Sequence, residues 1–290
     1  NTGLDSETAR SYGGALYNDG DIELRNVTLS GNAATIGGGI YNDPDGILTI
    51  SASILVDSPI GRNCVNDGEF NSGGYNLEDT AWCPLDHSGD LYNVDPQLMA
   101  LDYNGGLTLS FALPPGSPAT DVAPGDVCAF ADQRNILRPV DSNQDGISRC
   151  DAGAYEGAPG GIIRLEPLSA TVDETEQEVT VSFSRSGGSG PVGVAYDVAG
   201  GTAADTVDFA LTPGVLSWAQ GDESAQTFTV QVLDDLYKES DEYALIGLLD
   251  PTGGAGIERP GHMFTLIIQA NDPNGIGGGS PVFMPVIRKR

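Results

Sequence analysis

The residues 234–242, DDLYKESDE, place five carboxylates and one base in nine positions. Two like charges about 5 Å apart repel by roughly 3 kcal/mol at an effective dielectric near 20. A fold that gathers them needs a compensating positive charge. Ca²⁺ takes six to eight oxygen ligands and turns that repulsion into coordination. A second acidic run, DSNQDGISRCD at 141–151, places Asp141, Asn143, Asp145 and Gly146 as in the first half of a D-x-[DN]-x-D-G calcium loop. Position 12 of that loop would be Ala152, and Asp151 stands one place early. Asp141, Asn143, Asp145 and Asp151 are therefore the candidate ligands. The alternative is a turn pinned by the neighbouring Cys150.

The rest of the chain narrows the chemistry. It has 290 residues, with 41 acids against 13 bases and a formal charge of −28. Phosphate contacts need clustered Lys and Arg, so nucleic acid is excluded, and an anionic membrane surface is a poor partner. Divalent cations suit such a surface; solubility is the plainer use of the charge. No apolar run is long enough to span a bilayer, so membrane insertion is not expected. The chain begins without Met and runs straight into a repeat, which reads as a mature or truncated chain. The two His and the absence of C-x-x-C argue against zinc. Cys64, Cys83, Cys128 and Cys150 allow three pairings, of which Cys64–Cys83 and Cys128–Cys150 enclose short Gly/Asn/Asp loops and are preferred. They imply an oxidising compartment; four buried thiols are the alternative. The sequon Asn26-Val27-Thr28 falls in an expected strand and reads as structural.

The elements that must position these groups are strands. Gly (40) and Pro (18) are abundant, as in a turn-rich all-β protein. YGGALYN at 12–18 and GGGIYN at 37–42 repeat the GG motif at a spacing of 24, each followed by alternating apolar residues. Short strands on such a period suggest rungs of a short right-handed parallel β-helix over residues 1–158. Asn18, Asn32 and Asn42 are placed to satisfy buried turns as a stack. Residues 64–157, with LTLSFAL at 107–113, are expected to continue and close the solenoid. Composition shifts at 157–163. Beyond it, alternating strands at 178–185, 192–198, 225–233, 242–249 and 263–270 argue an immunoglobulin-like β-sandwich over 162–273. Residues 274–290 read as a Gly-rich linker and a C-terminal strand, in which Val282, Phe283, Met284, Val286 and Ile287 form an apolar stripe suited to assembly.

Four motifs carry a resemblance in the second domain: GTAADTVDF (201–209), LSWAQGD (216–222), VLDDLYKESDEY (232–243) and IIQANDP (267–273). Their order and spacing over 164–273 resemble a Calx-beta domain, as in sodium/calcium exchangers and bacterial surface proteins. The resemblance implies a seven-stranded sandwich with Ca²⁺ held at one end. Carried over, the ligands are Glu174, Asp208, Asp234, Asp235, Glu239, Glu242 and Asp272. Asn271 stands where exchanger domains carry another acid, which leaves a multi-calcium cluster one acid short. The alternative is a solvated acidic loop end. In the first domain the rungs, the segment 95–123, DQR (132–134), RP (138–139) and CDAGAYE (150–156) resemble choice-of-anchor Q proteins, secreted bacterial β-helix proteins. That implies location more than activity.

Three function classes remain. An enzyme is disfavoured: the β-helix segment has no Lys, no carboxylate pair stands out, and no G-x-S-x-G elbow occurs. An adhesin module binding protein or glycan is the second class, although aromatics are only 7% and scattered. The third is a structural, calcium-stabilised subunit of a bacterial surface filament, assembling head to tail with copies of itself or with other surface proteins. This third class is the expectation.

Overall fold

The computed structural model describes residues 10–175, 178–188, 190–236 and 239–271. The chain divides into two compact units, 1–159 and 160–290. The described residues contain strands, turns and bends but no α-helix, so none is long and apolar enough to cross a membrane.

In the first unit the chain visits three sheets in turn and repeats the circuit. The strands β1 (Leu16–Asn18), β2 (Asp21–Arg25) and β3 (Thr28–Ser30) make the first circuit. The second is β4 (Ile40–Asn42), β5 (Ile47–Ser51) and β6 (Ile54–Val56), and the third is β7 (Cys64–Asn66), β8 (Glu69–Gly74) and β9 (Leu77–Glu78). A further strand, β10 (Leu91–Tyr92), extends the last sheet. All these pairings are parallel: Leu16 faces Ile40, which faces Cys64, and Leu48 lies between Ile22 and Phe70. One apolar side chain per strand position turns inward, so Ile40, Leu48, Ile50 and Leu55 form a shared buried core.

Buried turns need their polar groups paired. Asn42 meets that need with no exposed surface. Its amide accepts from Asn18 Nδ2 at 2.7 Å and donates to Asn66 Oδ1 at 2.7 Å. Asn32 is not in this ladder; its Nδ2 donates locally to Ser30 O. The stacking also gathers aromatics that look scattered in sequence. Tyr41 lies 4.9 Å from Tyr12 and 5.5 Å from Tyr17, centroid to centroid. The hydroxyls of Tyr17 and Tyr41 donate to Asp43 and Asp67 in the next circuit.

The parallel stack does not continue to residue 157. After β10 comes a small antiparallel hairpin, β11 (Leu101–Asp102) and β12 (Ser110–Phe111). Irregular chain follows, closed by polar contacts. The disulfides Cys64–Cys83 and Cys128–Cys150 are both formed.

The second unit is two facing five-stranded sheets. One has the order β17 (Phe209–Ala210), β19 (Gln226–Val232), β15 (Glu178–Ser186), β13 (Ile162–Leu165) and β21 (Gly256–Ile257). The other runs β14 (Ser169–Asp173), β22 (Met263–Gln269), β20 (Glu242–Leu249), β16 (Val192–Gly201) and β18 (Gly214–Trp218). The chain thus forms ten strand segments where the resemblance implies seven. The extra ones arise because β13 and β14 belong to different sheets and because β17 and β21 are two-residue pieces. Period-two alternation buries Val179, Val181 and Phe183 of β15 against Phe228 and Val230 of β19 and Trp218. Arg185 follows the same alternation and is buried, with its guanidinium bound by the carbonyls of Gly160, Ala219, Asp222 and Gly190.

Candidate functional site

The sheet registers bring the acidic residues of the second unit to one end. Asp173 closes β14 opposite Gln269 of β22, and Glu242 opens β20 opposite Ile268. Glu174 N then donates to Gln269 O, and Leu233 N, just past β19, donates to Asp208 O at 3.0 Å. The loops after β14, after β19 and before β20, together with the turn carrying Asp208, therefore share one edge of the sandwich.

Two of these acids are buried: Glu174 is 6% exposed and Asp208 7%. Asp208 accepts the N–H of Ala204, and its carboxylate bears on that of Glu242. Glu242 is pushed up from 4.5 to about 7, by burial first, then by Asp208, Glu239 and Glu174. Glu239 is also raised, by burial first and then by Asp208 and Asp235. Glu174, Asp208, Asp235, Glu239 and Glu242 thus feel one another. Asp234 accepts from Asn271 Nδ2 at 3.1 Å, and Asn271 also reaches Asp173. Asp241 caps the neighbouring backbone at Ala270 N. Asp272 lies outside the described residues, as do Val282, Phe283, Met284, Val286 and Ile287.

These side chains offer only oxygen donors, the ligand type that a hard divalent cation takes. Glu174 and Asp208 are buried, and the mutual repulsion that raises Glu242 is what a divalent ion would relieve.

The second acidic group lies in the first unit. Ligand oxygens of Asp121, Asp141 and Asp145 lie within 4.8 Å of one another. The loop is wound by its own acids: Asp141 accepts from Asp145 N at 3.0 Å and Gly146 N at 2.9 Å, and Asn143 Oδ1 accepts from Asp145 N at 2.8 Å. Gly146 at φ 91° permits the turn. Asp121 enters from a separate segment and accepts from the N–H groups of Ser142, Asn143 and Arg149. No spacing rule within 141–151 could have found it; its only signal was membership of the segment 95–123.

Asp151 does not stand among these three. It has no exposed surface, and its two oxygens accept from Asp121 N at 2.8 Å and Gly157 N at 2.6 Å. Burial raises it to about 6. It belongs instead to a buried polar clasp. There Arg138 pairs with Glu156, which also accepts from Val140 N and Asp151 N, while Arg134 pairs with Asp132. Desolvation pushes Glu156 well above the usual carboxylate range, against the pull of Arg138. The DQR, RP and CDAGAYE motifs are this clasp. Asn26, the sequon residue, is buried beside it and donates to Ala52 O and Asp151 O.

Residues 158–272, which include the first acidic end, match the family model of the Calx-beta domain. This segment is a Calx-beta domain. Among solved structures, the apo-form Calx CBD1 domain is 33% identical, with a TM-score of 0.36, over 38% of this chain and 97% of that one. The calcium binding domain CBD12 of CALX1.1 is likewise 33% identical, with a TM-score of 0.36, over 38% of this chain and 44% of that one. Adhesion G-protein coupled receptor V1 of Danio rerio is 35% identical over 101 residues, 34% of this chain. The match spans 2% of that receptor's length.

Proposed function

We propose that this chain is an extracellular, non-enzymatic module of a surface protein, adhesive or structural in role, whose Calx-beta domain binds Ca²⁺ at the end formed by Glu174, Asp208, Asp235, Glu239 and Glu242. The observation that carries this reading is the gathering of two buried acids, Glu174 and Asp208, with the start of β20 at Glu242 on one edge of the sandwich. Asp234 and Asp272 complete the expected ligand set. We infer that the first unit is a short right-handed parallel β-helix, supported by its three parallel sheets and repeated circuit. It would act as a rigid spacer stiffened by two disulfides, which suit an oxidising compartment. The loop of Asp121, Asp141, Asn143 and Asp145 is proposed as a second, weaker calcium position. A subunit that assembles head to tail into a filament is the more specific form of this role, and it requires a docking surface for residues 282–287.

The test is calcium uptake. Isothermal titration of the chelator-treated chain should show saturable Ca²⁺ binding that Asp208→Asn weakens at least tenfold. Asp145→Asn should remove one weaker site and leave the other. A chain that takes up no calcium at millimolar concentration refutes the reading.

A further inference from the structure

The β11–β12 hairpin displays large apolar side chains to solvent. Ser110 and Ala112 are buried against the first unit. Met99, Leu101, Tyr103 and Leu109 are 46–58% exposed, and Leu107 at the tip is 96% exposed. The register places Leu101 opposite Phe111, so these side chains share one face of the two-stranded sheet. Contiguous exposed apolar surface of this kind marks an interaction site.

The hairpin is held firmly. Asn104 Nδ2 donates across it to Ser110 O at 2.7 Å. Gln133 Nε2 donates to Thr108 Oγ1 at 2.7 Å and to Leu109 O at 2.8 Å. Arg134, itself buried and clamped to Asp132, donates to Asn104 O at 3.2 Å. The apolar face is therefore displayed by the same buried clasp that closes the unit. A preorganised surface loses little freedom on binding.

Charge decides between occupants. Residues 95–113 carry two Asp and no Lys or Arg, within a chain of net charge −28. A second hairpin of the same kind would bring like charges together. The fitting partner has an apolar stripe flanked by bases. The sequence VFMPVIRKR at 282–290 has that form, with three of the chain's 13 bases in its last three positions. The Gly-rich sequence 274–281 precedes it.

We propose that the face formed by Met99, Leu101, Tyr103, Leu107 and Leu109 is the docking surface for residues 282–287 of a second copy of the chain. Bases 288–290 would meet Asp95 and Asp102 at the rim. The contact is heterologous, tail of one copy to hairpin of the next, so it can propagate or close into a ring. This inference rests on the self-assembling form of the reading above and not on calcium.

Sedimentation velocity of the full chain over a range of concentrations, in EDTA and in millimolar calcium, tests it. The expected result is association that a synthetic peptide of residues 280–290 reverses, that added salt weakens, and that Leu107→Asp or Leu109→Asp weakens at least tenfold. Leu107 is almost wholly exposed, so its substitution leaves folding intact. Association indifferent to both substitutions, or to the peptide, overturns this docking surface while leaving self-assembly standing. A monomer at every concentration that does not bind the labelled peptide overturns both. Calcium uptake is read separately and is unaffected by either outcome.

Discussion

The burial of Glu242 beside Asp208 predicts that the Calx-beta domain's stability depends on pH in a direction opposite to that of an ordinary salt-bridged acid. Glu242 lies at about 7 in the folded protein against an ordinary 4.5. The folded state therefore holds this proton more tightly than the unfolded state. Above pH 7 the ionised pair destabilises the fold fully; as pH falls from 7 towards 4.5 that penalty disappears. Each tenfold difference in proton affinity is worth about 1.4 kcal/mol, and solvent access to Glu242 screens part of it, so about 1–2 kcal/mol is expected. Calcium should replace the proton, releasing it and stabilising the fold by roughly 2.7 kcal/mol at a concentration a hundred times its Kd.

Asp208→Asn separates these effects. Asparagine keeps an oxygen for Ala204 N but removes one of the two charges. In EDTA at pH 8 the variant's sandwich should unfold at a higher temperature than the parent's, because the repulsion with Glu242, Glu239 and Glu174 is gone. Its melting temperature should also change less between pH 8 and pH 5. In calcium the order should invert, since the variant loses a ligand. Differential scanning calorimetry at three pH values, with and without calcium, reads all of this. Comparing variant with parent cancels the titration of Asp151 and Glu156, which lie in the other unit. A variant that is less stable than the parent in EDTA at pH 8, with an unchanged pH slope, would refute the argument.

Other perturbations probe the first unit. Arg138→Met leaves Glu156 buried without its cation and should cost about 3–5 kcal/mol, seen as loss of the first unit's unfolding transition while the sandwich melts normally. Asn42→Ala removes the centre of the amide ladder and should cost about 1–3 kcal/mol, read by urea unfolding; an effect below a few tenths would mean that the ladder contributes only shape. Cys64→Ala paired with Cys83→Ala opens a loop of 19 residues' separation and should cost about 3 kcal/mol on the chain-entropy model, measured as a lower melting temperature of the first unit.

The 24-residue spacing of the GG motif was legible because parallel pairing maps sequence offset directly onto register: Leu16 faces Ile40 24 positions later. The sandwich was legible from period-two burial in β15 and β19. Side-chain destinations were less so. Asn32 matches Asn18 and Asn42 in type but lies in a local turn, whereas Asn66 follows a circuit without the GG motif and is still the ladder's third member. The segment LTLSFAL alternates like a solenoid strand, yet Leu107 and Leu109 are exposed on a hairpin while Leu113 packs against the core. Period alone says which residues share a face, not which face is covered.

The acidic clusters show the same limit. Their members were visible as composition, since a run like 234–242 is costly without a counter-charge. Which acids meet depends on where the chain closes. Asp121 reaches the loop at 141–145 because Val122 and Ala123 hydrogen-bond to Cys150 O, and Asp151 beside Cys150 is thereby turned inward to hold Asp121 N. One closure thus takes Asp151 away from the loop and brings in Asp121 from 20 positions before it. In the Calx-beta domain the corresponding choice is made by the parallel pairing of β14 with β22, which brings Glu174 to the edge where β20 begins. A motif gives the oxygens; the sheet edge decides which of them can reach a single ion.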